Sequence, residues 1–285
     1  MSNPTIATPP FTPVAGMVDR LDSGGFGPSA EDLEFVAAYL SIEKESASLL
    51  ASYAAPEKLA ARRQRKIAQR DRDWAALSQY RELNATLIGQ KVDIVFIGDS
   101  ITEIWGYAQP DLFAGGIVNR GISGQTSPQI LLRFMPDVIA LKPQAVHLMC
   151  GVNDIAGNTG PTTLADYQNN ILAMLDLARV HDIQVILASL TPVSCNWRPP
   201  AVTDPGARVR QINRWLANLA SDQGLIFADY RTVLADTSGD LRPDYHRDGL
   251  HPNQAGYAAM KPVVENAARQ VRRRRPSATD APGYA

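Results

Sequence analysis

The sequence contains few cysteines and no long hydrophobic run, and these shortages exclude several classes of protein. Two cysteines in 285 residues cannot form a disulfide framework, which is typical of proteins in a reducing compartment. No stretch approaches the ~18 consecutive apolar residues of a membrane-spanning helix. The first residues, MSNPTIATPPFTPVAG, have neither the charged nor the apolar region of a secretory signal. We therefore expect a protein without a membrane span that is cytoplasmic, or secreted if a signal has been removed from this sequence.

An excess of charge of either sign is also absent. The formal net charge is −1 and the sequence pI is about 6.4, so the chain has no electrostatic footprint for nucleic acid. The one basic run, RRRR at residues 272–275, is interpreted as the solvated end of a final helix. Hydrophobic residues make up 45% of the chain, which is enough for the core of a globular protein.

The composition changes along the chain and divides it into four parts. The first residues are rich in Pro, Gly, Ser and Thr without periodicity, and apolar residues at helical spacing follow. One helix is predicted over 31–55. A second helical stretch is predicted to begin near Pro56, to run through the charged segment and to continue into DWAALSQYRELNATL. We interpret these helices as a candidate contact in a homo-oligomer. The predicted parts are a flexible N-terminal arm (1–30), an N-terminal helical extension (31–70), a main domain (71–275) and a disordered tail (276–285).

Short apolar runs alternate with helical patterns in the main domain. This alternation predicts a parallel sheet covered by helices on both faces, that is, a three-layer, doubly wound α/β fold with five strands. The apolar runs are 92–97, 116–118, 145–149, 184–190 and 225–229. The helical patterns are roughly 127–141, 163–181, 206–222 and 253–274.

Four polar segments follow the predicted strands: GDSITE, NRGISGQ, CGVNDIAGN and TPVSCNW. Ligands of open α/β sheets bind beyond the carboxyl ends of the strands. We therefore expect a functional site where these four segments meet. Ser100 in GDSITE is either a nucleophile or a polar residue that only starts a helix, and the choice depends on whether a base exists elsewhere.

The chain has four histidines that could act as this base. His147 lies within the apolar run AVHLM and is interpreted as a core residue. His181 lies at a helix end, where a cation interacts favourably with the helix dipole. His246 and His251 both lie in YHRDGLHPN near the C-terminus.

His251 is the best candidate base for Ser100, because Asp248 precedes it by three residues in a turn that contains glycine. A carboxylate in that position can accept the imidazole Nδ1–H and fix the tautomer. Taken alone, DGLHPN is also an ordinary turn and helix start. A metal site formed by His246, Asp248 and His251 is a further alternative, but it lacks another ligand near a strand end.

Two more residues on the same rim could stabilise a developing oxyanion. Gly121 in NRGISGQ can bring its backbone N–H close to a ligand, and the Asn153 side chain in CGVNDIAGN can donate from just beyond a strand. Together with the Ser100 N–H they would supply the donors of an oxyanion hole. A tight turn at Gly121 and a loop-closing hydrogen bond at Asn153 are the structural alternatives.

The blocks GDSITE, NRGISG, GVND and DGLHPN resemble, in order and approximate spacing, the four blocks of the SGNH (GDSL-type) hydrolases. The resemblance covers about residues 90–270. It implies a flavodoxin-like sheet and a serine esterase with Ser100 as nucleophile, His251 as base and Asp248 as its partner. It also implies an oxyanion hole formed by Ser100, Gly121 and Asn153, and neither a metal nor an organic cofactor.

The substrate implied by this resemblance is a small-molecule or carbohydrate ester. GISGQT and NDIAGNTGP look most like bacterial members associated with short-chain and acetyl esters, including acetylated carbohydrates. A lysophospholipase or thioesterase acting on longer acyl chains is the close alternative. A non-catalytic carbohydrate-binding module on the same fold and a metal-dependent hydrolase are the more distant ones.

Overall fold

The computed structural model of the protein describes residues 28–41, 46–200 and 202–274. The predicted disordered tail and most of the predicted N-terminal arm lie outside the described residues. The central layer contains the strands β1 (Ile94–Gly98), β2 (Ile117–Gly121), β3 (Ala145–Met149), β4 (Gln184–Ala188) and β5 (Ile226–Ala228).

All five strands are parallel and lie in the order β2-β1-β3-β4-β5. Each strand overlaps one of the apolar runs. Every residue of β1 is buried, and because neighbouring side chains of a strand point to opposite faces, both faces of the sheet are covered. The predicted three-layer, doubly wound α/β fold is confirmed.

Helices surround this sheet and also precede it in the chain. In the described residues they are α1 (Ala30–Leu40), α2 (Ser46–Tyr53), α3 (Pro56–Arg72), α4 (Arg81–Leu87), α5 (Ser100–Ala108), α6 (Ser127–Asp137), α7 (Val152–Ala156), α8 (Leu164–Val180), α9 (Pro205–Asp222), α10 (Arg231–Leu234) and α11 (Gln254–Arg274). None of these helices combines the length and the apolar character needed to cross a lipid bilayer.

An aromatic cluster joins one face of the sheet to α5 and α11. Phe96 of β1 and His147 of β3 are partners in register, and their rings stack with centroids 4.4 Å apart. Trp105 of α5 contacts both rings and also Tyr257 of α11. The His147 Nε2 lies 2.8 Å from the Tyr230 hydroxyl, and burial lowers the pKa of His147 to about 3. His147 is therefore a neutral core residue, as its place in an apolar run predicts.

The N-terminal region differs from the expectation, because each predicted helix is divided in two. The helix predicted over 31–55 is interrupted at Ser41, whose extended backbone (φ −63°, ψ 142°) ends α1. The next stretch is interrupted at Asp73, whose carboxylate accepts hydrogen bonds from the N–H groups of Leu77 and Ser78, each at 2.8 Å. Such local side-chain bonds compete with helix formation, and the spacing of apolar residues does not reveal them.

The first helix packs against the main domain of its own chain. Tyr39 and Leu40, in the last turn of α1, are 4% and 8% exposed and belong to the hydrophobic core. The helix α1 also lies beside α5. Contact of the N-terminal helices with a second subunit stays a prediction, as do the domain boundaries at residues 70 and 275.

Candidate active site

The site lies where the order of the strands reverses. β1 is flanked by β2 on one side and by β3 on the other, so the chain leaves the sheet in opposite directions from this point. In register, Gly98 is paired with Gly121 and with Met149. The segments that follow these three residues therefore meet at one rim, as expected for a ligand site in an open α/β sheet.

Ser100 is the first residue of α5, directly after this strand end. Asp99 caps the helix, and its Oδ1 accepts the N–H of Ile101 at 3.0 Å. A Cβ on Gly98 would lie 2.2 Å from the Thr102 Oγ1 of α5 and 2.4 Å from the Met149 carbonyl oxygen of β3. Residue 98 must therefore be glycine for the end of β1 to fit between α5 and β3. As an N-terminal helix residue, Ser100 has a backbone N–H that the helix leaves without an acceptor.

Asp99 is buried and serves as the cap rather than as a base. Burial raises the pKa of Asp99 to about 7, although the Ile101 N–H and the nearby His251 act to lower it. The residue is only 1% exposed. The carboxyl group is thus part of the turn that joins β1 to α5.

A continuous hydrogen-bonded chain connects Ser100, His251 and Asp248. The Ser100 Oγ lies 2.9 Å from the His251 Nε2, and the His251 Nδ1 lies 2.6 Å from the Asp248 Oδ2. Ser100 and His251 are 151 residues apart in the sequence, so only the fold brings them together. An imidazole bonded on both sides in this way can take a proton from the serine while the carboxylate stabilises its charge.

The Asp248 carboxylate is held in place by its other oxygen. The Oδ1 atom accepts the N–H groups of Leu250 and His251, each at 2.9 Å. Burial acts to raise the pKa of Asp248, but the hydrogen bonds and the charge of His251, with these two N–H groups, outweigh it and hold the pKa well below its usual range. The carboxylate is therefore ionised at neutral pH and presents Oδ2 to the imidazole.

His246, the remaining histidine of this loop, has a structural contact instead. Its Nδ1 accepts the N–H of Gly249 at 2.9 Å, which closes the turn that carries Asp248. In the part of the chain that the structure describes, no group of three or more His, Cys, Asp or Glu side chains is arranged to hold a metal ion. The metal site considered from the sequence is therefore not assembled by these residues.

Asn153 lies on the same rim, at the start of α7, with a fixed side-chain amide. Its Oδ1 accepts from the Asn158 Nδ2 at 2.8 Å, and its own Nδ2 donates to the Gln125 carbonyl at 2.9 Å. Because an amide nitrogen carries two hydrogens, this arrangement fixes the orientation and leaves one N–H for a ligand.

Gly121 ends β2, and its backbone N–H has an acceptor within the protein. Its N–H donates to the Asn119 Oδ1 at 2.8 Å, so this donor already has a partner. A Cβ at residue 121 would lie 2.2 Å from the Glu103 backbone nitrogen. The glycine is therefore required for the end of β2 to pack against α5.

Gly124, in the loop after β2, is linked to Asn153 through Asn158. Gly124 has a φ of 82°, which residues with a side chain rarely adopt. Its carbonyl accepts from the Asn158 Nδ2 at 3.1 Å, and that amide group also holds the Asn153 oxygen. One asparagine thus ties the Gly124 peptide to the Asn153 side chain.

A buried arginine behind the rim was not identified from the sequence. Arg133 of α6 is 0% exposed. It forms an ion pair with Asp137, its Nε donates to the Gln125 Oε1 at 2.7 Å and its Nη2 to the Arg120 carbonyl at 3.1 Å. The Gln125 carbonyl in turn accepts a hydrogen bond from the Asn153 Nδ2. The only sequence signal is an Arg and an Asp four residues apart in a predicted helix, which is usually an exposed pair.

The chain also matches a known protein family. The sequence profile of the GDSL-like Lipase/Acylhydrolase family matches residues 96–259, which is more than half of the chain. The matched segment includes Ser100, Asn153, Asp248 and His251, together with Gly121 and Gly124. The N-terminal helices α1 to α4 lie outside it.

Individual relatives match the same kind of domain. An acetylxylan esterase of Geobacillus stearothermophilus is 34% identical over 207 residues, which covers 61% of this chain and 92% of the esterase. A GDSL-like lipase of Bacteroides thetaiotaomicron VPI-5482 has a crystal structure similar to this one, with a TM-score of 0.65, 35% identity and coverage of 70% of this chain and 99% of the lipase. An uncharacterized lipoprotein of Bacillus subtilis (strain 168) is 35% identical over 80 residues, and this chain spans only 33% of its length.

Proposed function

The chain belongs to the GDSL-like lipase/acylhydrolase family and is a carboxylic ester hydrolase, and on that premise we propose that Ser100, His251 and Asp248 are its catalytic triad. The observation that carries this proposal is the hydrogen-bonded chain from the Ser100 Oγ through the imidazole to the Asp248 Oδ2, at 2.9 and 2.6 Å. The ionised carboxylate fixes the tautomer in which Nε2 is free to accept the serine proton.

The reaction proceeds in two acyl-transfer steps. His251 takes the hydroxyl proton of Ser100 as the oxygen attacks the ester carbonyl, and the tetrahedral intermediate collapses when the alcohol leaves with that proton. The acyl group is then bonded to the Ser100 oxygen. A water molecule gives a proton to His251 as it attacks the acyl-enzyme, and the same proton returns to the serine as the acid is released.

Backbone and amide N–H groups stabilise the oxyanion in both steps. The Ser100 N–H lies at the start of α5, and the Asn153 Nδ2 has one hydrogen free for this role. For the third donor we propose the Gly124 N–H rather than that of Gly121, because the latter donates to the Asn119 Oδ1. The shared contact of Gly124 and Asn153 with one Asn158 amide supports this choice.

We expect Asn153→Ala to lower kcat by about 10²- to 10³-fold with little change in KM, because an oxyanion donor acts mainly in the transition state. The measurement is steady-state hydrolysis of p-nitrophenyl acetate. Asn213→Ala is the matched control, since Asn213 is also buried and its amide bridges the N–H and carbonyl of Leu190 without a hydrogen bond to Ser100, Asp248 or His251. Equal losses in the two variants would contradict the role of Asn153.

Short acyl groups are the proposed substrates, with acetyl esters of carbohydrates as the leading class. The support is the 34% identity to an acetylxylan esterase over 92% of that protein's length. Hydrolysis of longer acyl chains, as by a lysophospholipase or thioesterase, is the competing possibility that the experiment below separates.

A series of p-nitrophenyl esters from acetate to palmitate tests the acyl preference. We expect kcat/KM to be highest for acetate and to fall as the chain lengthens. A site with an extended apolar pocket would instead gain binding energy of up to about 0.8 kcal/mol per buried methylene. A maximum beyond about C8 would therefore overturn the short-chain proposal in favour of a lipid substrate.

A further inference from the structure

The last turn of α1 contacts the loop that carries the proposed acid–base pair. The single hydrogen of the Tyr39 hydroxyl is shared between the His251 carbonyl oxygen, at 2.5 Å, and the Asp248 Oδ1, at 3.1 Å. It also accepts the N–H of Arg247 at 3.2 Å. The ring of Tyr39 stands edge-on to the imidazole of His251, with centroids 6.2 Å apart. The Tyr39 hydroxyl therefore contacts Arg247, Asp248 and His251 of this loop.

The helix that carries this phenol is itself held firmly. Phe35 packs edge-on against Tyr53 of α2 at 5.4 Å between centroids, and the Arg62 guanidinium of α3 lies over both rings. The Tyr53 hydroxyl donates to the Glu34 Oε2 at 2.9 Å. The N-terminal helices thus form a packed unit that fixes the position of Tyr39.

The contact with Asp248 completes the donors around one carboxylate oxygen. Oδ1 accepts from Leu250, His251 and Tyr39, so rotation of the carboxylate would break several hydrogen bonds at once. The other oxygen stays directed at the imidazole. Burial, with the charge of Asp248, raises the pKa of the Tyr39 hydroxyl well above its usual range, which keeps this group protonated as a donor.

We propose that Tyr39 is a positioning residue of the active site: it holds Asp248 and the backbone of His251 so that the imidazole meets Ser100. This inference rests on the proposed triad. It extends the site into a helix outside residues 96–259, the segment that the family profile covers. The N-terminal helices therefore contribute to catalysis by positioning Asp248 and His251.

The test compares Tyr39→Phe with Tyr53→Phe in the full chain. Both changes remove a buried phenol hydroxyl from the same helical unit, but only the first reaches the active site. We expect Tyr39→Phe to lower kcat by about tenfold with KM unchanged. This factor corresponds to the free energy of one hydrogen bond to a charged group. Tyr53→Phe should keep the wild-type kcat. The concentration of active sites is measured by titration with an organophosphonate, and kcat is calculated from that concentration, so unfolded protein does not lower the measured kcat.

The pH profile gives a second readout that a purely structural residue would not move. With one donor fewer, the Asp248 carboxylate binds the imidazolium proton more tightly, so the acidic limb of kcat/KM should move to higher pH. The other titratable groups around this pair, Asp99, Tyr257 and Arg247, are unchanged in both variants. A wild-type kcat and pH profile for Tyr39→Phe, or an equal loss in Tyr53→Phe, would overturn the inference. Esterase activity that survives in Ser100→Ala would instead overturn the proposed triad.

Discussion

Replacing Ser100 with alanine is expected to lower kcat by about 10⁴-fold or more, because removing a serine nucleophile leaves only binding and oxyanion stabilisation. The substitution removes one oxygen and retains the backbone N–H of the first residue of α5. Asp99 caps the helix through the Ile101 N–H and not through the serine, so the fold should be preserved. The measurement is hydrolysis of p-nitrophenyl acetate over a range of concentrations.

Ser189→Ala is the matched control for this experiment. Ser189 is 1% exposed, and its hydroxyl accepts the N–H of Tyr230 at 2.9 Å without contact to the proposed triad. We expect this variant to keep a kcat near that of the wild type. Full esterase activity in Ser100→Ala would show that the ester is cleaved by other groups.

Asp248→Asn is expected to lower kcat by about 10⁴-fold while the fold is retained. The donors from Leu250, His251 and Tyr39 on Oδ1 require an oxygen in that position. The amide nitrogen must therefore replace Oδ2 and present an N–H to the imidazole. His251 can accept this bond only if Nδ1 loses its hydrogen, which places the proton on Nε2, where it blocks proton transfer from Ser100.

The control for this change is Asp244→Asn. Asp244 is an exposed carboxylate just before the same loop, and it is paired with Arg242 at 2.9 Å. Both variants remove one negative charge from this region, so a general electrostatic effect would lower both activities alike. A loss confined to Asp248→Asn supports the tautomer argument, and an Asp248→Asn enzyme as active as the control would contradict it.

The sheet and the loops of the rim could be predicted from the sequence because their signal is local. Strands buried on both faces require nearly continuous apolar runs, and VDIVFI, AVHLM and QVILASL have that character. Polar, glycine-bearing segments after such runs must lie at the carboxyl edge. The pairing of Ser100 with His251 could not be predicted from a local pattern. It was predicted because a serine nucleophile needs a histidine base, and because the four blocks resemble those of the SGNH hydrolases.

The role of each glycine could not be predicted in the same way. NRGISG contains both Gly121 and Gly124, and either could bring an N–H to a ligand. The distinction depends on the Asn119 side chain, which takes the N–H of Gly121, and on the positive φ of Gly124. Both are properties of the folded loop.

Support from distant parts of the chain was also invisible in the sequence. The fully buried Arg133 appears there as one charge of an ordinary helix. Tyr39 lies in the N-terminal helical extension, 209 residues from Asp248 along the chain. Periodicity identifies which face of a helix is buried, but it does not identify the loop that this face contacts.

Covalent labelling tests the identity of the nucleophile most directly. The wild-type protein is treated with an organophosphonate, its intact mass is measured, and the modified peptide is sequenced by mass spectrometry. We predict a single adduct on Ser100, complete loss of esterase activity when labelling is complete, and no adduct in Ser100→Ala. An active esterase that carries no label at Ser100, or that is inactivated by a label elsewhere, would contradict the assignment of Ser100 as the nucleophile.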